Sequence, residues 1–300
     1  MELRQLRYFA KVAETLNFSE AAKVLCITQS TLSQQIRQLE TEMGVALFER
    51  NSHAVALTEA GEHLLPQAIT TIDEADTCME KILDLRRLLT GTLNIGVTYS
   101  FSPMITDPLI SFMKLYPHVK LNIYYKTVDE LMDMLRKRQV DFVLAFKPME
   151  VGADVTFHTL FDSRLSVIVR EGHALSSRKE LGLDDIKDCD FALPMRGMQA
   201  RNKLSAIIGE RIANLRVKAE LNEVNILLHL VRSTDIVTIL TEATLHGHTG
   251  IKAIPLNITG SDMAGCVHVL KNSYRKHSAS EFLKLLSESN AVRQRVSEWL

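Results

Sequence analysis

The chain has 300 residues, with 35 basic and 36 acidic side chains and 46% apolar residues. That length carries a prior of two domains, and the composition excludes disordered, collagenous and disulfide-scaffold classes. A formal net charge of −1 offers no global basic excess, so any contact with nucleic acid has to come from local pattern.

No window approaches 18 uncharged apolar residues, so no membrane-spanning helix and no membrane partner are expected. The start, MELRQLRYFAKVAE, is amphipathic and lacks the apolar stretch of a signal peptide, which points to the cytoplasm. Cys26, Cys78, Cys189 and Cys266 lie far apart with no C-x-x-C pair. In a reducing compartment they read as small core residues.

Residues 1–57 read as short helices. Leu3, Leu6, Phe9, Val12, Ala13 and Leu16 recur at helical spacing. Ser19 is placed to cap a second helix carrying Ala21, Ala22 and Leu25. Thr28 caps a third, with Leu32, Ile36, Leu39 and Met43 as its apolar stripe and Gly44 as its stop. The short link Cys26-Ile27-Thr28 between helices with alanines at the crossing is a helix-turn-helix pattern. The stretch VALFERNSHAVALT then reads as a small β-hairpin, or wing.

Residues 58–89 read as one long helix capped by Thr58, with Pro66 predicting a kink in its first turns. Leu65, Ala68, Ile72, Ala75, Met79, Ile82 and Leu89 step by three and four, interrupted by Arg86. Two readings stand. Leu65, Ile72, Met79 and Ile82 form a dimer seam, or the helix packs on its own domain.

From Thr90-Gly91 onward short apolar runs alternate with helical stretches. The strands are LNIGV, VKLNIYY, DFVLAF, LSVIV, FALP, IVTIL and GCVHVL. The helices are 103–115, 129–138, 201–213, 223–232 and 279–300. This is an α/β architecture, and its length leaves room for two sub-sheets.

The third helix is the sharpest functional signal. Opposite Leu32, Ile36 and Leu39 it displays Gln29, Ser30, Ser33, Gln34 and Arg37, with Thr31 in the same first turn. A solvated face usually mixes Glu and Lys. A face of amides, hydroxyls and one Arg suits base edges and phosphates in a major groove. The helix start also favours a nearby phosphate.

These residues carry a family resemblance. The elements are Phe18-Ser19-x-Ala21-Ala22, Thr28-Gln29-Ser30-x-Leu32-Ser33, Ile36-x-x-Leu39-Glu40, Gly44-x-x-Leu47-Phe48-x-Arg50 and Leu57-Thr58-x-Ala60-Gly61. Together they resemble the N-terminal domain of the LysR-type transcriptional regulators. Looser matches follow at Leu93-Asn94-Ile95-Gly96, Tyr116-Pro117-x-Val119, Asp141-Phe142 and Glu171-Gly172-His173-x-Leu175. The resemblance implies a winged helix-turn-helix over residues 1–58, a linker (dimerisation) helix over 59–89, and a two-lobed periplasmic-binding-protein-like effector domain over 90–300. Lobe I is then 90–161 and 265–300, and lobe II is 162–264. The implied partners are double-stranded operator or promoter DNA, a second copy in a dimer or tetramer, a small-molecule effector and RNA polymerase.

The resemblance places Arg50 in the wing as a phosphate contact. It places His53 where the family commonly has a second basic residue. A glycine-rich strand entry of the family is replaced here by Ser233-Thr234-Asp235-Ile236-Val237. Family effectors bind between the lobes. Mapped onto this chain, that site takes Ser100, Phe101, Ser102 and Thr127 from the first lobe, and Met195, Arg196, Gln199 and Asn222 from the second. Ser102-Pro103 has the form of a helix cap with Pro at the first helical position. Arg196 and Arg201 point to an anionic effector.

No G-x-S-x-G, G-x-G-x-x-G, P-loop or H-E-x-x-H is present, and the ten histidines are scattered. No catalysis, cofactor or metal is expected. Two alternatives remain: a peroxide sensor using Cys189, and a DNA-binding architectural protein without a ligand.

Overall fold

A computed structural model describes residues 1–51, 54–85, 90–148, 152–271, 273–289 and 292. The chain forms two compact units, Met1–Arg86 and Arg87–Leu300.

The first unit starts with α1 (Leu3–Thr15), α2 (Phe18–Val24) and α3 (Gln29–Met43). Their apolar stripes meet in one core, with Phe9, Val12, Ala21, Leu32, Ile36 and Leu39 fully buried. The cap of α2 is Asn17 rather than Ser19. Its side-chain oxygen accepts from the Ser19 and Glu20 N–H groups at 2.9 and 3.1 Å. Starting the helix there turns the Phe18 ring inward, edge-on to Phe48. Thr28 caps α3, and Gly44 ends it at φ +71°, a left-handed position that costs a residue without Cβ nothing.

Strands β1 (Phe48–Asn51) and β2 (Ala54–Leu57) pair antiparallel as the expected hairpin. Glu40 of α3 holds that hairpin: its carboxylate accepts from the N–H groups of Leu47 and Phe48 at 2.9 and 3.3 Å. Helix α4 (Glu59–Leu85) starts on Thr58, whose hydroxyl accepts from the Gly61 N–H at 3.1 Å. Ala68 is buried against the unit's own core, Leu65 and Ile72 are partly buried there, and Arg7 of α1 pairs with Asp76. The first half of the predicted dimer seam therefore packs within its own unit. Ile82 is 52% exposed, and the Met79 side chain lies outside the described residues.

The second unit contains β3 (Gly91–Val97), a 3-10 turn at Tyr99–Phe101, α5 (Ser102–Leu115), β4 (Val119–Tyr125), α6 (Val128–Arg136) and β5 (Phe142–Phe146). The long β6 (Val155–Arg170) leads to α7 (Leu183–Ile186), β7 (Asp190–Pro194), α8 (Gln199–Ile208), β8 (Arg216–Leu221) and α9 (Val224–Ser233). The chain closes with β9 (Thr238–Thr241), β10 (Ile251–Pro255), β11 (Asp262–Leu270) and α10 (His277–Glu288).

Seven strands form one sheet in the order β10-β6-β11-β5-β3-β4, with β9 also paired to β6. Strands β4, β3 and β5 are parallel, as strands joined by helices are. Residues 155–164 of β6 pair with β11, and residues 165–170 pair with β9 and β10. Strand β6 thus belongs to both lobes. The parallel pair β7–β8 joins the second lobe through a bridge from Phe191 to Val237.

Several expectations need correction. Strands β8 and β10 were not expected, and β6 begins ten residues before the apolar run Leu165–Val169. Strand β8 carries exposed charges, and the first half of β6 holds His158, Asp162 and Arg164, so neither shows an apolar run. Ser102 is already helical. The 3-10 turn before it makes Phe101 the cap position of α5. The last helix spans His277–Glu288, and residues 293–300 lie outside the described residues. Cys26 and Cys78 are exposed, Cys189 is half-buried, and only Cys266 is buried. Cys26 sits in the linking turn, at φ 54°.

His268 on β11 is fully buried, with Nε2 3.3 Å from the Ala145 carbonyl oxygen. Burial pushes its pKa down to about 4. An unfolded histidine titrates near 6.5. As pH falls through that window, the unfolded chain binds a proton that the folded chain refuses. Stability of the second unit is therefore expected to fall by up to about 3 kcal/mol between roughly pH 6.5 and 4. Denaturant melts across that range check this. His268→Gln should flatten the slope, and an unchanged slope would place the proton uptake elsewhere.

Candidate functional site

On α3, Gln29, Ser30, Thr31, Gln34 and Arg37 are exposed and Ser33 is half-buried. The buried stripe Leu32, Ile36 and Leu39 decides this orientation. The Thr28 hydroxyl organises the helix start. It accepts from the Thr31 N–H at 3.2 Å and shares hydrogen bonds with the Ser30 and Thr31 hydroxyls at 2.9 and 2.8 Å. Ser19 of α2 donates to Gln29 Oε1 at 3.1 Å, which leaves the Gln29 NH2 for a ligand. The first carboxylate of α3 is Glu40, and it is spent on the hairpin. The exposed face up to that point offers an anionic ligand no repulsion from its own helix. The Arg50 side chain and all of His53 lie outside the described residues.

The second unit holds a cleft of about 850 Å³ around its crossing strands. Asp129 of α6, Lys147 after β5, Asp162 of β6, Lys203 of α8 and Asp262 of β11 put charge on its walls. A second, much smaller pocket of about 10 Å³ adjoins it, which is room for one water. Ser100, Thr127 and Gly197 line the small pocket, while Val128 and Gln199 line both. The Gln199 amide clasps the backbone of Phe146. It accepts from the Phe146 N–H at 3.0 Å and donates to the Phe146 carbonyl at 2.6 Å. One side chain of the second lobe thereby pairs both backbone groups at the end of a first-lobe strand.

The structure brings together Ser100, Thr127 and Gln199 from the expected effector residues and separates the others. Phe101 is 1% exposed and packs against Phe146 and Phe161, so it is core. Ser102 lines neither cavity. The Thr127 hydroxyl caps α6 with Glu130, donating to its carboxylate at 2.8 Å. Hydrogen bonds from Lys126 and then Thr127 hold the Glu130 carboxyl at a pKa of about 2. Met195, Arg196 and Asn222 are exposed and line neither cavity. Arg201 is 5% exposed, pairs through Nη2 with Glu220 at 2.8 Å and lines neither cavity, while its Nε and Nη1 are buried without a hydrogen-bond partner.

Lys147, Asp162, Lys203 and Asp262 escaped the sequence reading. A charge directly after the apolar run of β5 was the available signal for Lys147. The aspartates lie on strand segments too polar to be read as strands. Among the described residues, no group of His, Cys, Asp and Glu is arranged to hold a metal ion.

Residues 3–62 match the bacterial regulatory helix-turn-helix proteins of the lysR family, and residues 86–291 match the LysR substrate binding domain. The transcriptional dual regulator GltC of Bacillus subtilis is 30% identical, over 95% of this chain and 96% of its own length. The regulator EstR of Acinetobacter baylyi is also 30% identical, over 82% and 81%. A full-length OxyR variant from Pseudomonas aeruginosa superposes with a TM-score of 0.75 at 23% identity, covering 100% of this chain and 99% of that one. CbnR, solved with its target DNA, superposes with a TM-score of 0.61 at 19% identity, covering 96% and 99%. These two structures carry the fold.

The Gln199 clasp sets an expectation of its own. Gln199→Ala leaves the Phe146 N–H and carbonyl without that partner and should destabilise the second unit by about 1–3 kcal/mol. Hydrogen exchange at the Phe146 amide should rise in step. An amide as protected in the variant as in the parent would mean that the clasp is not what shields it.

Proposed function

Because the chain belongs to the LysR family of bacterial transcriptional regulators, we propose that its first unit reads operator or promoter DNA through α3 and the β1–β2 hairpin, while its second binds a small-molecule effector between the lobes. The observation that carries this is the exposed face of α3: amides, hydroxyls and one guanidinium, with its only early carboxylate turned to the hairpin. Gln29, Ser30, Thr31, Ser33, Gln34 and Arg37 contact the major groove, and Arg50 and His53 the flanking backbone. Residues 1–58 are the reading domain, 59–89 the pairing helix and 90–300 the effector domain. The protein works in the cytoplasm as a dimer or tetramer, with RNA polymerase as a further partner and no catalysis. No helix of the described residues is long and apolar enough to cross a membrane.

The peroxide alternative is disfavoured at Cys189. Burial, then the neighbouring charges of Asp188 and Asp190, raise its thiol pKa, which is opposite to what a reactive thiolate needs.

Ser19 makes the DNA reading specific. With Oε1 held, Gln29 presents N–H donors, which suit guanine N7 and O6 or thymine O4. Gln29→Ala should weaken operator binding by about 1–3 kcal/mol and relax one base position per half-site. Ser19→Ala should free the amide to bond adenine bidentately and shift preference at that same position toward adenine. Selection from randomised sites checks both. Unchanged profiles in both variants would remove Gln29 from base reading.

Pairing is tested at Ile82, the exposed end of the α4 seam. Ile82→Glu would bury an unpaired carboxylate between copies and should shift the population toward monomer. Loss of the second half-site contact should then remove most affinity for a palindrome. Light scattering at micromolar concentration decides it. An unchanged oligomer with normal DNA binding would exclude this seam.

A further inference from the structure

The large cleft carries charges of both signs on its walls. Outside it several opposite charges of this unit pair: Arg136 with Asp154 at 3.0 Å, Arg170 with Asp235 at 2.7 Å, Lys276 with Asp141 at 3.0 Å. Inside the cleft, Asp129, Lys147, Lys203 and Asp262 make no ion pair or side-chain hydrogen bond among the described residues. Lys147 instead lies over the Phe157 ring, 4.4 Å from its centre. Two cations and two anions therefore face one space without pairing, beside a third carboxylate, Asp162, that has an interaction of its own.

Their origins also differ. Asp129 and Lys147 belong to the first lobe, Lys203 to the second, and Asp262 to a strand shared by both. A single-charge ligand would satisfy one pair and be repelled by the other. A ligand with both an ammonium and a carboxylate satisfies both, and it ties the lobes together as it does so. At about 850 Å³ the cleft falls in the range of small-molecule sites, whereas the small pocket with Ser100 and Thr127 has room for one water.

We propose that the effector sits in this open cleft, on the far side of Gln199 from Ser100 and Thr127, and that it is a small zwitterion of the amino-acid class. The proposal rests on the reading of the second unit as an effector domain. Lys147 and Lys203 take the carboxylate, and Asp129 and Asp262 take the ammonium. Gln199 stands between the large cleft and the small pocket and lines both.

The test uses the full chain in thermal unfolding and calorimetric titration. The probes are the common L-amino acids, their 2-oxo acid counterparts and their decarboxylated amines. At least one amino acid should raise the unfolding temperature, with the 2-oxo acid and the amine of the same skeleton binding at least about tenfold more weakly. Lys203→Gln and Asp262→Asn should each weaken that amino acid about tenfold or more. Ser100→Ala should leave its affinity unchanged, and operator binding without ligand should be unchanged in all three variants.

A 2-oxo acid binding as tightly as its amino acid overturns the zwitterion and leaves effector control standing. Loss of binding in Ser100→Ala, with Lys203→Gln and Asp262→Asn unaffected, moves the seat to the small pocket. If no probe shifts the melt but the low-molecular-weight fraction of a cell extract does, the ligand class is wrong. If neither does, the effector reading falls with it.

Discussion

The second unit depends on two antiparallel strands, β6 and β11, that run from one lobe into the other. Their close pairing needs Gly265. A Cβ there would stand 2.3 Å from the Phe161 ring, and the ladder shifts register at Gly265 and Cys266. Phe161 in turn packs with Phe101 and Phe146, which fastens the crossing to the end of β5 and the start of α5. Because the crossing strands belong to both lobes, their side chains line whatever lies between the lobes. Asp162 and Asp262 face the cleft for that reason.

Gln199 divides that interlobe space. Its two hydrogen bonds to Phe146 satisfy backbone groups at a strand end, where the sheet offers no neighbour to both. Ser100 and Thr127 line the small pocket beside it, whose volume is about that of a water. Three of the positions carried over by resemblance, Ser100, Thr127 and Gln199, thus meet in space, yet the volume suited to a metabolite lies beside Ser100 and Thr127. Of the arginines that pointed to an anion, Arg201 is buried and pairs with Glu220, and Arg196 faces solvent.

In the first unit the comparable anchor is Glu40. One carboxylate oxygen receives two N–H groups of the segment entering the hairpin, so the wing is set relative to α3 by a charge-assisted contact rather than by packing alone. That contact also removes the nearest acid from the exposed face of α3. The Thr28 hydroxyl cluster and the Ser19–Gln29 bond order that face before any ligand arrives. A face ordered in advance loses less conformational freedom on binding.

Much of this was legible in the residues. Helical spacing from Leu3 to Leu39, the Thr28 cap and the Gly44 stop are local, because each depends on neighbours within a few residues. The strands β3, β4, β5 and β7 announced themselves as apolar runs because they are buried by helices or other strands. The family motifs from Phe18 to Gly61 fall on the helix-turn-helix, the Glu40 anchor and the Thr58 cap, where side chains meet backbone close by. Cap choice was harder, since Asn17 and Ser19 are equivalent as sequence and only the burial of Phe18 selects between them. Tertiary structure alone decided the rest. The polar half of β6 is a strand because β11 supplies its hydrogen bonds. Leu65 and Ile72 lean on their own unit because α1 lies alongside them. Arg201 is buried and paired because Glu220 arrives from a later strand. Four unpaired charges share one cleft because distant segments bring them there, and a charge carries no mark in sequence of whether its partner is a neighbour, water or a ligand.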